Sequence, residues 1–232
     1  MAKKKLIRFE EINSFPNVIQ PSNQYPLEDH PIKGNWGKLH FRNNKDNLIL
    51  EIGCGKGEYT LALAQAFTSA NYIGIDIKGD RIWCGATEAL SKKNTNVAFL
   101  RIQAQRLTYY FAPNEVSEIW LTFPDPHHQK SRERMRLTSP EFFNRYQKIL
   151  KPQGIIHLKT DHQQLFQYTL NALYENKHTI HFCTDDLYNN NESHANFLTE
   201  NKTYYESMFS RKGFTIKYVK FSLNPDSQQS VI

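Results

Sequence analysis

The run Leu48-Ile49-Leu50-Glu51-Ile52-Gly53-Cys54-Gly55-Lys56-Gly57-Glu58 constrains this chain more than any other stretch. It opens on apolar residues, as a strand buried on both faces of a parallel sheet does. Glu51 sits near the strand end, and glycines then alternate at 53, 55 and 57. Tyr59 to Phe67 follow with helical spacing, which puts Leu61, Ala64 and Phe67 on one face. The unit is strand, glycine turn, helix. Glycine takes positive φ at little cost and lets a ligand lie against bare backbone. The helix start adds unpaired N–H groups. The spacing is one residue shorter, before its third glycine, than a dinucleotide fingerprint, which disfavours a nicotinamide dehydrogenase. On its own, a turn that merely rounds a corner fits the stretch equally well.

At 232 residues the chain holds one α/β domain, or a domain plus an arm. Hydrophobic residues at 39% and charged residues at 22% indicate a folded rather than a disordered chain. A net charge of +6 favours a polyanionic partner. Cys54, Cys84 and Cys183 are far apart and form no CxxC. That argues against a disulfide framework or zinc site and fits a reducing cytoplasm. The basic start, Met1 to Lys5, leads into no apolar signal region. No apolar run approaches the roughly 18 residues that a membrane helix needs.

Residues 1–46 carry Pro16, Pro21, Pro26 and Pro31 among Asn, Ser and Gln, and are expected to form an extended, partly flexible arm. Its Lys3, Lys4, Lys5 and Arg8 suit either phosphate contacts or a solvated tail. Trp36, Leu39 and Phe41 mark an end that packs. The main domain is expected over 47–223, with a loose tail at 224–232.

The second strand, 72–77, puts Asp76 near its end, about 20 residues past the glycine turn. A carboxylate there can accept from both hydroxyls of a ribose. The competing role is an N-cap for the helix over 80–91, which Asp80 can itself supply. The third strand, 97–102, ends at Gln103, which both donates and accepts as a purine edge requires. The fourth, 118–123, runs into Pro124-Asp125-Pro126, a stiff turn where open α/β sheets bind ligands. Four cations then fall within Lys130 to Arg136 and read as a phosphate-gripping loop. His127 and His128 do not match zinc spacing.

Ser139 caps a helix over 139–150, with Pro140 and Glu141 in its first turn. The strand over 155–160 ends at Asp161; its His157 is expected to be packed or hydrogen-bonded. A helix over 162–176 and a strand over 179–184 follow. The polar stretch 185–200, with Asn189-Asn190-Asn191 in its middle, reads as a loop or lid. Thr203-Tyr204-Tyr205-Glu206 has capping-box spacing. The last strand, 214–221, alternates like a sheet edge.

Glu51 to Gly57 resembles the first motif of the class I S-adenosylmethionine-dependent methyltransferases. Leu121-Thr122-Phe123-Pro124-Asp125-Pro126, the basic loop, Arg136-Leu137, Pro140-Glu141-Phe142, Lys159-Thr160-Asp161 and Thr203-Tyr204-Tyr205-Glu206 resemble, more selectively, the bacterial tRNA (guanine-N7)-methyltransferase family. The resemblance runs from about residue 45 to 221. It implies a Rossmann-like α/β fold, with a mostly parallel seven-stranded sheet and helices on both faces. It implies S-adenosylmethionine as methyl donor, S-adenosylhomocysteine as product, no metal, and tRNA methylated at guanine 46 of the variable loop. Glu51, Gly53, Gly55, Asp76, Gln103 and Asp125 would line the cofactor site. Gln129, Lys130, Asp161, Thr203, Tyr204, Tyr205 and Glu206 would meet the target guanosine, with Asp125 as the active-site acid. The chain departs from the family pattern at Gln103, at His127 (usually Trp) and at Gln129 (usually Lys, here one residue on at Lys130). Adenine-amino methyltransferases would show an Asn/Asp-Pro-Pro-aromatic tetrad, which this chain lacks. The alternatives are a methyltransferase for another RNA site or substrate, and a non-catalytic RNA-binding protein on the same fold. Monomer and homodimer stay open.

Overall fold

The computed structural model describes residues 2–21, 28–189, 196–211 and 213–224. In chain order the helices are α1 (Ala2–Glu11), α2 (Glu58–Ala66), α3 (Gly79–Ser91), α4 (Pro140–Gln147), α5 (Gln163–Glu175), α6 (Asn196–Glu200) and α7 (Tyr204–Ser210). The strands are β1 (Val18–Ile19), β2 (Leu48–Ile52), β3 (Asn71–Asp76), β4 (Val97–Arg101), β5 (Val116–Thr122), β6 (Leu150–Thr160), β7 (Thr179–Thr184) and β8 (Lys217–Ser222).

Among the described residues these strands form one eight-stranded sheet, in the order β1-β4-β3-β2-β5-β6-β8-β7. The first six in this order run parallel, and β8 is antiparallel to both its neighbours. From β2 the chain builds outward through β3 to β4, then returns to add β5 and β6 on the other side. The order therefore reverses between β2 and β5, which makes that crevice the switch point of the sheet. Leu50, Ile73, Phe99, Ile119 and Leu121 are fully buried, as strands covered on both faces require. One face packs against Phe142, Tyr146, Phe166 and Leu173 of α4 and α5. The other packs against Tyr59, Leu63, Ile82 and Ala86 of α2 and α3.

The sequence anticipated seven strands; the eighth is β1, which pairs Val18 and Ile19 with Phe99 and Leu100. It covers an edge of β4 that would otherwise expose unpaired backbone. The proline-bearing arm is therefore not uniformly extended. Residues 2–11, ahead of its first proline, are helical, and Trp36–Phe41 form a wide helical turn. Trp36 is buried, stacks on Phe111 at 5.5 Å and donates Nε1–H to Tyr110 O at 2.9 Å. Arg8 lies over the Trp83 ring at 4.5 Å. Pro26, Asn190, Asn191 and residues 225–232 lie outside the described residues, as do the side chains of Lys3 and Lys4.

Other expectations shift for local reasons. The alternating segment near 217 is no edge: β8 lies between β6 and β7, and the exposed β7 is the edge. Its Lys217 is buried yet satisfied, donating to Thr215 Oγ1 at 3.0 Å. Strand β6 begins at Leu150, so Pro152-Gln153-Gly154 lie inside an irregular strand rather than ending a helix. Phe67 follows α2, is 48% exposed, and leans on Phe197 at 5.1 Å. Lys78, not Asp80, is the N-cap residue of α3. Ser139 does cap α4, accepting from Phe142 N at 3.4 Å.

Helix α3 rides directly on the glycine turn. A Cβ on Gly85 would lie 2.5 Å from Lys56 O and 2.7 Å from the Phe99 ring. Backbone cannot yield as a flexible side chain can. Gly85→Ala is expected to cost about 1–3 kcal/mol, which lowers the thermal midpoint by roughly 2–4 °C per kcal/mol for a chain of this size. Circular dichroism melting checks this; an unchanged midpoint would refute the close approach.

Candidate active site

The carboxyl ends of β2 to β6 meet at one edge, and the glycine turn is its centre. Gly53, Gly55 and Gly57 have φ of 80°, 57° and 74°, a region where a side chain is strained. Gly53 N and Cys54 N both donate to Ile75 O, at 2.8 and 3.0 Å, and Gly55 N donates to Asp76 Oδ2 at 2.9 Å. The turn is thus fastened to β3. A Cβ on Gly57 would strike Phe99 at 2.6 Å, whereas one on Gly55 would meet nothing within 4 Å. The turn packs inward at Gly57 and is open at Gly55.

Glu51 points inside. It is 3% exposed, and Oε2 accepts from Thr60 N at 2.8 Å and from the Thr60 hydroxyl. Oε1 accepts from the Thr122 hydroxyl. Burial raises its pKa to about 7, against the opposing pull of these hydrogen bonds. The carboxylate therefore joins α2 and β5 to β2 across the switch point.

Asp76 stands at the end of β3. Besides holding Gly55, its Oδ1 accepts from Lys78 N at 2.8 Å. Ile77 next to it is 56% exposed, unusual for so large an apolar residue. A cleft of about 280 Å³ opens here, lined by Ile77, Arg101, Gln103 and Arg106 together with Gln20 and Pro21 of the arm. Arg101 fastens the arm to the strand ends, with Nε donating to Ile77 O at 3.2 Å and Nη1 to Gln20 Oε1 at 2.8 Å. Gln103 is exposed at the start of a short 3-10 turn, Ala104–Tyr109. Sequence reasoning passed over Ile77; an apolar residue directly after an acidic strand end was its available signal.

The loop after β5 is shaped by its backbone. Phe123 and His127 have φ of 49° and 44°, both in the left-handed region. Phe123 N donates to Lys159 O at 2.8 Å, and His127 N to Asp125 Oδ1 at 2.9 Å. The Asp125 side chain is 72% exposed. Arg136 does not join the phosphate-gripping group expected of the basic loop. It is buried over the Tyr168 ring at 4.3 Å and donates to Pro126 O at 2.9 Å and His127 O at 3.2 Å. It holds the carbonyls of Pro126 and His127, at the end of the Pro-Asp-Pro turn. Gln129 and Lys130 are exposed at the start of the 3-10 turn Lys130–Met135.

Strand β6 delivers Asp161 beside this loop, since Thr122 pairs with Lys159. His162 caps α5, accepting from Leu165 N at 3.1 Å, and its ring lies 4.8 Å from that of His128. His157 is buried within β6, stacked on Trp120 at 3.8 Å and bonded to Tyr218 OH at 2.6 Å, as a packed histidine should be. The capping box forms: Glu206 N donates to Thr203 Oγ1 at 3.1 Å, and Thr203 N to Glu206 Oε2 at 3.4 Å. Tyr205 is 54% exposed, while the Tyr204 side chain lies outside the described residues. Glu206 is fully buried, 2.7 Å from Lys159 Nζ and bonded to the Tyr188 hydroxyl. Among the described residues no group of three or more His, Cys, Asp or Glu is placed to hold a metal ion. No helix among them is long and apolar enough to cross a membrane.

A doubly wound sheet, a short glycine turn, an acidic second strand end and a proline-clamped carboxylate at the switch point define a Rossmann-like methyltransferase fold. Residues 45–219 match the family described as "Putative methyltransferase". A protein from Christiangramia forsetii named tRNA (guanine-N(7)-)-methyltransferase is 45% identical over 224 residues, covering 96% of this chain and 99% of the relative. One of the same name from Bacteroides thetaiotaomicron is 44% identical, covering 96% and 87%. The chain belongs to the methyltransferase family that these relatives share. The fold is also that of the crystal structure of the 16S rRNA methyltransferase KamB, with a TM-score of 0.63 at 16% identity over 83% of this chain and 95% of that one.

The Glu51 environment fixes a pH dependence. Its folded pKa of about 7 lies above its ordinary 4.5, so the native state binds this proton more tightly than the unfolded chain. The contribution to stability is greatest at low pH, declines as pH rises from about 4.5 to about 7, and is level above. Glu51→Gln should flatten that part of the profile, measured by urea unfolding across the window. Parallel profiles for the two proteins would contradict a buried, proton-binding Glu51.

Proposed function

We propose that this protein is a tRNA (guanine-N7)-methyltransferase that transfers the methyl group of S-adenosylmethionine to guanine 46 in the variable loop. The observation that carries the reading is near-full-length identity of 45% to a relative of that name. The edge geometry supports it. Asp76 ends β3 where a ribose can be met, Ile77 offers an apolar face to a purine, and Gly55 leaves open space for a backbone-hugging ligand. Those features fit S-adenosylmethionine. Asp76, Ile77, Gln103, Gly53 and Gly55 would hold it, with Glu51 shaping the turn from behind and Asp125 at the reacting end. When bound, the cofactor supplies an electrophilic methyl group.

The residues of the chain then have a restricted task. Neutral guanine carries a lone pair and no proton at N7, so no general base is needed. The methylated ring is cationic, and carboxylates with access to it stabilise the charge as it develops. Asp125 and Asp161 are the groups placed for this, at the ends of adjacent strands. They can also accept from the guanine N1–H and amine, which selects guanine over adenine. Holding nucleophile and methyl in line supplies much of the rest. Gln129, Lys130, Thr203, Tyr204 and Tyr205 would border the target nucleoside, which leaves its tRNA contacts to be reached. Residues 47–223 carry the reaction in this reading, framed by the arm at 1–46. The reading requires no metal and implies the cytoplasm, where tRNA is.

The test is methyl transfer from labelled S-adenosylmethionine to unmodified tRNA, with the product nucleoside identified. Wild type should give N7-methylguanosine. Asp125→Ala should lose about 100-fold or more in rate, and replacing guanine 46 should abolish the product. Methylation at another nucleoside would replace the substrate assignment. Cofactor binding with no transfer to any RNA would sink the substrate assignment and leave a methyltransferase for another substrate; absence of cofactor binding by calorimetry would favour the non-catalytic alternative.

A further inference from the structure

A buried ammonium ties the candidate site together. Lys159 and Glu206 are both wholly inaccessible, with Nζ and Oε1 2.7 Å apart. A buried charge is retained only when its hydrogen bonds are matched, and these are. Lys159 Nζ also donates to Leu198 O at 2.6 Å and sits 5.4 Å from the Tyr59 ring centroid. Glu206 in turn accepts from the Tyr188 hydroxyl and, on its other oxygen, from Thr203 N. One side chain of β6 thus grips α2 through Tyr59, α6 through Leu198 and α7 through Glu206. The backbone of the same residue accepts from Phe123 N and fixes the start of the Pro-Asp-Pro loop. Helices α6 and α7 have 5 and 7 residues, too few to persist without such an anchor.

We propose that Lys159 is a positioning residue for the target guanosine: its ammonium docks α6 and α7 so that Thr203 and Tyr205 stand beside Asp161, and Glu206 acts through Lys159 rather than by touching the base. This rests on the assignment of that side of the edge to guanosine. A carboxylate with no exposed surface and three donors around it, Lys159 Nζ, the Tyr188 hydroxyl and Thr203 N, is already engaged. Asp161 and Asp125 are then left to meet the ring.

Three variants test it beside wild type: Lys159→Met, Glu206→Gln, and the two combined. Glu206→Gln keeps an acceptor for Lys159 but removes its counter-charge, so it should raise the KM for tRNA and speed amide exchange over 197–211, both less than Lys159→Met does, while kcat at saturating tRNA falls by no more than about tenfold. Lys159→Met should raise the KM for tRNA about tenfold or more, speed exchange over 197–211, and leave S-adenosylhomocysteine affinity by calorimetry within about twofold. The double variant removes the orphaned carboxylate as well, and should melt higher than Lys159→Met while keeping the raised KM. A Glu206→Gln protein as inactive as Asp125→Ala, with exchange unchanged, would overturn the proposal. So would Lys159→Met with normal KM and normal exchange. If wild type methylates no tRNA, the functional reading fails, and the exchange comparison still decides whether Lys159 docks the helices.

Discussion

The Glu51 carboxylate is the interaction on which the rest depends. The sheet reverses its order between β2 and β5, and a crevice there is useful only if its walls are fixed. Glu51 fixes them with one group, taking Thr60 of α2 on one oxygen and Thr122 of β5 on the other. The glycine turn hangs between these anchors, and Asp76 fastens its far side through Gly55 N. Removing water from a carboxylate is costly, and the raised pKa records that cost. The return is a rigid rim just past the last paired residues of β2 and β5, Glu51 and Trp120.

Two further buried charges repeat the device. Arg136 holds the carbonyls of Pro126 and His127, and Lys159 holds the short helices on the opposite rim. Both are cations placed behind the edge: Arg136 meets two loop carbonyls, and Lys159 meets the Leu198 carbonyl of the short α6. The charges on the open side are different residues: Asp125, Lys130 and Asp161 keep access to solvent. Buried charge builds the frame and accessible charge meets the ligand. This division makes the strained backbone at Phe123 and His127 sustainable, since anchors on both sides over-determine the loop.

How much of this was legible in the sequence followed the range of the chemistry. The glycine turn, the Asp76 strand end, the Ser139 cap and the Thr203–Glu206 capping box are local, and their residue types allow few other uses. Strand β1 was not legible, because two residues become a strand only by finding the open edge of β4. Lys217 misled for a related reason: alternation of polar and apolar residues signals an exposed face unless the polar atoms are satisfied inside. Arg136 among its basic neighbours looked like one more phosphate contact, since composition does not say which cation turns inward. The pairing of Lys159 with Glu206 joins two motifs distant in the chain, and nothing at either position announces the other. Family resemblance supplied the identity of the reaction; the inward roles of Glu51, Arg136 and Lys159 came from the geometry.

The most direct measurement is a crystal structure of the protein with S-adenosylhomocysteine bound. The account predicts the adenine against Ile77, the ribose hydroxyls on Asp76, and the thioether near Gly55 facing Asp125, with Glu51 still bound to Thr60 and Thr122. A nucleoside bound away from Asp76 and Ile77, or a Glu51 released from both threonines to hold the ligand, would contradict it.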